Sequence, residues 1–242
     1  MARPRTRRLA DIVADRFPGV DPARLISAGE VEVDGFPVSN PEARVPAEAS
    51  VRLRRPAGLR GAAKLRAALA TFRVEIAGRA ALDVGAAAGG FTRVLLDAGA
   101  RRVYAVDAGH GQLLGSLRQD PRVVNLESTN VAVLDRRLIP EPIEVVTVDV
   151  SYLSLSSAVG QLGGILLAEG AELIGLVKPM FELRLATAPL DDASLDAALD
   201  VAVRGITARG WTLVATAVSP VTGARGAREL LVHARWPTTA PA

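Results

Sequence analysis

With 242 residues the chain has room for one α/β domain of about 180 residues and a small satellite, but not for two full enzyme domains. An apolar fraction of 49% beside 23% charged residues excludes disorder as the main state, and every apolar run is interrupted well short of the roughly 20 residues a membrane helix needs. The absence of Cys excludes disulfides, thiolate metal sites and cysteine nucleophiles, two His leave little for a zinc site, and a net charge of +3 does not by itself point to nucleic acid.

In chain order, the first eight residues carry Arg3, Arg5, Arg7 and Arg8 and no acid. The following LADIVADRF has helical spacing and includes acids instead of an apolar signal core, so export is not expected and a cytoplasmic protein is. ARLISAG reads as a short helix closed by Gly29, EVEVDGFPV as an alternating strand broken at Asp34-Gly35, and VRLRR as a second short strand. These elements predict a small α+β module over residues 1–55, with residues 56–61 as a linker and residues 62–242 as the main domain. A second acid-free basic cluster, Arg52, Arg54, Arg55 and Arg60, flanks the same module.

KLRAALATF opens the main domain as a helix, and strands then alternate with helices. RAALDVGA, RRVYAVDA, RVVNLE, IEVVTVDV and AELIGLVKP are the expected strands; FTRVLLDAGA, SSAVGQLGGILLAEG and LDAALDVAVRGITARG are the expected helices. The alternation calls for an α/β fold with a doubly wound, Rossmann-like parallel sheet. WTLVATAVSP and RELLVHARW, separated only by a Gly-rich turn, predict a terminal antiparallel hairpin.

The first strand runs into Asp83-Val84-Gly85-Ala86-Ala87-Ala88-Gly89-Gly90-Phe91-Thr92, a small-residue turn that opens a helix. Such a turn lets backbone N–H groups approach a ligand at the carboxyl edge of the sheet. Its glycines do not follow G-x-G-x-x-G, which disfavours a nicotinamide cofactor. Asp107 ends the next strand, 24 residues after Asp83, where a carboxylate accepts both hydroxyls of a ribose. An acid before the turn and another after the second strand suit S-adenosylmethionine, which offers an amine, a carboxylate and a ribose but no phosphate. Asp83, Gly85, Gly90, Phe91 and Asp107 are the candidate cofactor residues. Asn130 joins them by position at the sheet edge, with capping of the following turn as the alternative.

Of the 29 basic residues only Lys64 and Lys178 are lysine. An ammonium, unlike a guanidinium, is able to give up its proton, so a site that needs this keeps Lys in an otherwise Arg-biased chain; chance survival is the bland alternative. Asp149 and Lys178 end the fourth and fifth strands, facing the crevice where open α/β sheets bind ligands. Lys64 opens the first helix of the domain and Glu229 the last strand, so both are able to close over the same edge, Glu229 alternatively being a solvated edge charge. A cluster of these four residues suits proton removal from a sugar hydroxyl attacking a sulfonium methyl, and needs no metal, because the donor is already cationic and the leaving group is a neutral thioether.

Through RLISAGEVEVDG, RGAAKLRAAL, LDVGAAAGGFT, RVYAVDAGHGQL, LRQDPRVVNLESTN, VDVSYLSL, VKPMFE and SPVTGARGARELL the chain resembles the TlyA family, bacterial S4-domain ribosomal RNA methyltransferases historically labelled hemolysins. The resemblance implies a class I methyltransferase domain behind an S4-like module, 2′-O-methylation of cytidine in ribosomal RNA, and a ribosomal RNA or subunit as partner. It also implies catalytic roles for Lys64, Asp149, Lys178 and Glu229, and cofactor roles for Asp83, Gly85, Gly90 and Asp107. In the module, Arg7, Arg8 and Arg24 are the candidates for contacting RNA phosphate, a solvated basic face being the alternative. There are two departures from the family pattern. The loop after Glu182 reads LRLATAPLDDAS, without the family's usual Gly and Lys, and Pro22-Ala23-Arg24 replaces a Ser-Arg pair. The first leaves open a methyltransferase diverted to another hydroxyl substrate; a separate alternative is a non-catalytic RNA-binding protein whose methyltransferase fold only holds cofactor or structure.

Overall fold

The computed structural model describes residues 6–27, 29–38, 40–53, 60–223 and 226–238. The chain divides into two compact units, Met1–Gly58 with Leu114–Asp120, and Leu59–Leu113 with Pro121–Ala242.

In the first unit β1 (Thr6–Arg8) leads directly into α1 (Leu9–Arg16), followed by α2 (Pro22–Ser27), β2 (Val31–Val33), β3 (Phe36–Pro37), β4 (Arg44–Pro46) and β5 (Val51–Leu53). The strands β3-β2-β5 form one antiparallel sheet and β1-β4 a separate pair. Asp34 and Gly35 both have positive φ, 51° and 86°, the conformation a two-residue hairpin turn requires and the reason an Asp-Gly pair sits there. Leu9, Ile12, Val13, Ile26, Val31, Val45 and Val51 build the core. The pair β1-β4 was not expected, because TRR and RVP are too short and polar to carry a strand period. Arg54 and Arg55 of the expected second strand, and 56–59 of the expected linker, lie outside the described residues.

In the second unit α3 (Arg60–Phe72) begins four residues ahead of Lys64, so residues 60 and 61, read as linker, are helical. Then follow β6 (Ala80–Val84), α4 (Gly90–Asp97), β7 (Arg102–Val106), α5 (Gly115–Arg118, in the segment grouped with the first unit), β8 (Val123–Leu126), a 3-10 turn at Val131–Val133, and β9 (Ile143–Val148). The chain continues with α6 (Leu155–Val159), β10 (Leu167–Val177), α7 (Pro179–Glu182), α8 (Asp192–Thr207), β11 (Thr212–Val218) and β12 (Leu230–Arg235). Seven strands run in the order β11-β12-β10-β9-β6-β7-β8, parallel from β10 to β8, with β12 inserted antiparallel between β10 and β11. All five residues of β6 are buried, which is how a strand covered on both faces reads as a continuous apolar run.

One expected helix is corrected. SSAVGQLGGILLAEG forms only the five-residue α6 and a 3-10 turn at Leu162–Gly164 before β10 starts at Leu167. A Cβ on Gly164 would lie 2.1 Å from the Leu134 carbonyl oxygen, so the glycine serves a close backbone approach that ends helical structure. Gly170, at φ 68°, marks the irregularity inside β10, where the pairing with β9 shifts between Leu167 and Glu172.

Candidate active site

The parallel strands deliver acids and a lysine to one edge. Asp107 follows β7, Asp149 follows β9 and Lys178 follows β10. Because β12 runs antiparallel with Val177 paired to Leu230, the residue before β12 arrives beside the residue after β10, so Glu229 comes to the same edge as Lys178. The α3 helix supplies Lys64. The four side chains form an alternating chain of charge. Glu229 Oε2 accepts from Lys64 Nζ at 2.5 Å, Lys64 Nζ lies 4.0 Å from Asp149 Oδ2, and Asp149 Oδ1 is 2.6 Å from Lys178 Nζ. Lys178 also donates to Ser151 Oγ at 3.1 Å, a contact no sequence signal announced.

Burial grades along this chain. The Glu229 and Lys64 side chains are 5% and 6% exposed, those of Lys178 and Asp149 13% and 18%. Two cations and two carboxylates balance, which is what makes their burial tolerable, since removing any one leaves an uncompensated charge. Lys64 and Glu229 form the inner pair and Lys178 and Asp149 the outer, more exposed one. Room for the Glu229 carboxylate is made by Gly223, where a Cβ would fall 2.1 Å from Glu229 Oε1.

These residues line a cavity of about 750 Å³, ample for a cofactor-sized ligand. The glycine-rich turn forms part of its wall, with Gly85, Ala86, Ala87, Ala88, Gly90 and Phe91 facing it. Asp107 shapes the turn: its Oδ2 accepts the Ala87 N–H at 2.9 Å and its Oδ1 the Gly109 N–H at 2.7 Å. Asp83 lies beneath. It is fully buried, accepting from Thr92 Oγ1 at 2.6 Å and from Thr147 Oγ1 at 3.0 Å, and so ties the first turn of α4 to β9. Asp83, Asp107 and Asn130 are not among the described residues lining the cavity. Asn130 Oδ1 accepts the Ala132 N–H at 2.9 Å and thus caps the 3-10 turn.

Burial pushes the Asp83 carboxyl up from its ordinary 3.8 to about 6, against the two hydroxyl donors. The folded state therefore holds this proton more tightly than the unfolded chain. The stabilisation is complete below about pH 3.8 and is lost as pH rises through about 6. A shift of that size corresponds to about 3 kcal/mol. Asp83→Asn is expected to stabilise the protein at pH 8 by up to that amount and to flatten the pH dependence between about 4 and 7. Denaturant melts across that range check this; a variant with the wild-type pH profile contradicts it.

Glu182, read only as part of VKPMFE, has a structural role. Its buried carboxylate accepts the Leu155 N–H at 2.5 Å and Ser156 Oγ at 3.3 Å, locking α7, and with it the Lys178 wall, to the start of α6. Burial raises this carboxyl above its ordinary value. Of the candidate RNA contacts, Arg7 and Arg8 are exposed and paired with Asp15 and Glu42, each at 2.5 Å, and Arg24 is exposed on α2. Among the described residues no cluster of His, Asp and Glu is able to hold a metal ion, and no helix is long and apolar enough to cross a membrane.

Comparison with known proteins gives a consistent result. Residues 59–236 match the FtsJ-like methyltransferase family. The chain is 40% identical over 225 residues to a 16S/23S rRNA (cytidine-2′-O)-methyltransferase, TlyA, of Mycobacterium tuberculosis, covering 89% of this chain and 84% of that one. It is 34% identical to Hemolysin A of Brachyspira hyodysenteriae, covering 72% of this chain and 75% of the other. A solved structure of a hemolysin-named protein from Streptococcus thermophilus superposes with a TM-score of 0.70 at 27% identity, covering 99% of this chain and 92% of that one.

Proposed function

Since the chain belongs to the FtsJ-like methyltransferases and within them to the TlyA family, we propose that it transfers a methyl group from S-adenosylmethionine to a ribose 2′-hydroxyl, that of a cytidine, in ribosomal RNA in the cytoplasm. The observation that carries this reading is the placement of Lys178, joined to Asp149 and Ser151, on the wall of the same cavity that the glycine-rich turn borders. The cofactor fits this cavity on two counts. The wall at Gly85 and Gly90 is free of side chains, and Asp107, outside the wall, holds the turn in shape by accepting the Ala87 N–H. Gly85, Gly90, Phe91 and Asp107 hold it, with Asp83 shaping the turn from below and Asn130 at the edge.

Bound there, the cofactor supplies an electrophilic methyl on sulfur. The chain's own part is to aim and deprotonate the oxygen. Once Lys178 has released its own proton to solvent, its neutral Nζ would accept the proton of the ribose hydroxyl and leave that oxygen aimed at the methyl, with a neutral thioether as the leaving group. Asp149 aims the Lys178 nitrogen and balances the ammonium once it is protonated. Lys64 and Glu229, deeper in the fold, fix Asp149 by charge and act through it. In the N-terminal module, residues 1–55, Arg7, Arg8 and Arg24 contact RNA phosphate, Arg7 and Arg8 by exchanging exposed carboxylate partners that are each worth little.

Mass mapping of ribosomal RNA from cells with and without this protein tests the proposal. One or more cytidine 2′-O-methyl marks are expected to depend on it. Labelled methyl arriving only in small hydroxyl compounds, or nowhere, overturns it.

A further inference from the structure

The cavity wall carries one charge the reaction does not use. Among the described residues lining the cavity, the charged side chains are Lys64, Asp149, Lys178, Arg228 and Glu229. Each lysine faces a carboxylate of the wall, whereas Arg228 is the cation of the wall whose acidic partner lies outside it. Its guanidinium donates to Asp192 Oδ1 at 2.7 Å and to the Leu190 carbonyl at 3.2 Å. Asp192 does not line the cavity, and its side chain is 83% exposed, so this pair is a solvated surface contact of the kind easily exchanged. The remaining wall on that side, Ala186, Thr187, Ala188 and Leu190, carries no charge.

Ribose chemistry supplies a partner. In a polynucleotide the 2′-hydroxyl and a phosphodiester occupy neighbouring carbons of one ring, so any chain presenting its 2′-oxygen to Lys178 brings an anion alongside. Neither lysine is available to neutralise it without abandoning a carboxylate. Arg228 directly precedes Glu229, and its partners belong to the 190–192 segment and not to the glycine-rich turn, so its cation stands on the substrate's side. A guanidinium also binds phosphate in bidentate fashion, a stronger arrangement than its bond to an exposed Asp. We propose that Arg228 is a substrate-binding residue that exchanges Asp192 for the phosphodiester next to the reacting ribose. This deepens the ribosomal RNA reading above and rests on it.

The test uses the full-length protein and ribosomal subunits isolated from cells lacking it, with initial rates at several salt concentrations and calorimetric cofactor binding. Arg228→Ala is expected to raise KM for subunits about tenfold and to reduce the slope of log KM against log salt by about 0.7 to 0.9, leaving the cofactor Kd as in the wild type. Arg228→Lys keeps the charge without the fork and falls between. Asp192→Asn removes the competing anion and lowers KM by up to about fivefold. An unchanged KM and slope in Arg228→Ala overturns the inference, as does a loss of cofactor affinity matching the rise in KM, which would reassign the residue to the cofactor. Should Arg228→Ala fail to fold, Asp192→Asn decides alone, and an unchanged or raised KM refutes the exchange. Wild-type protein inactive on these subunits overturns the ribosomal RNA reading and the inference with it, a pattern distinct from an active wild type with an indifferent Arg228.

Discussion

Lys178→Arg is expected to lower kcat for methyl transfer by at least about a hundredfold while the cofactor Kd stays within about twofold of wild type. The substitution separates charge from proton transfer. A guanidinium at this position still faces Asp149, so the balance of the four charged groups survives, but it does not take up a proton from a sugar hydroxyl at any working pH. The site is also tight around the ammonium. Nζ lies 2.6 Å from Asp149 and 3.1 Å from Ser151, and the side chain is 13% exposed, so a planar fork displaces the attacking oxygen as well. Single-turnover rates with saturating cofactor check the result. If Lys178→Arg keeps more than about a tenth of the wild-type rate, Lys178 acts by electrostatics alone and the proton goes to water. Lys64→Arg makes the companion measurement: Lys64 contacts Glu229 and Asp149, so its guanidinium replacement disturbs Asp149 geometrically while leaving Lys178, the proposed base, in place.

Most of the sheet was legible because its central strands are buried on both faces, and runs as short as AALDV or IEVVTV, bounded by Gly85 and by Pro142, favour a strand over a buried helix. The strand ends then gave the acids and Lys178 their places, since carboxyl ends of parallel strands share one edge. The convergence of Lys64 and Glu229 was a different matter. These residues are 165 positions apart, and what joins them is the antiparallel register Val177 to Leu230 together with the path of α3, neither of which any local pattern encodes. Scarcity of lysine and the family resemblance pointed to them; periodicity did not. What escaped entirely was what tertiary packing decides. Ser151, Glu182 and Arg228 look like ordinary polar residues of loops and short helices until their partners are known. The expected helix over SSAVGQLGGILLAEG fails because the close approach of Gly164 to the Leu134 carbonyl is likewise a non-local fact. Position alone left Asn130 either at the cofactor edge or capping the following turn, and its Oδ1 accepts the Ala132 N–H.

Gly85→Ala is expected to destabilise the protein by about 2–4 kcal/mol and to weaken cofactor binding and turnover together. Two independent costs meet at this residue. Its φ of 87° lies in the left-handed region, where a Cβ costs an alanine about 1 kcal/mol. The added carbon would also stand 2.4 Å from the Asp149 carbonyl oxygen, 2.9 Å from its carbonyl carbon and 3.1 Å from Val150 Cγ1. Two of those three atoms are backbone, so relief has to come from moving the end of β6 away from the end of β9. The Asp149 N–H is bonded to the Val84 carbonyl at 3.0 Å, which means that movement drags the carboxylate facing both lysines. A fold-level injury therefore becomes a catalytic one. Gly163→Ala provides the control, because a Cβ there meets nothing within 4 Å; its melting midpoint and cofactor affinity should match the wild type. If Gly85→Ala melts and binds as that control does, the turn is not held against β9 as tightly as the geometry requires, and the coupling between the cofactor wall and Asp149 is lost with it.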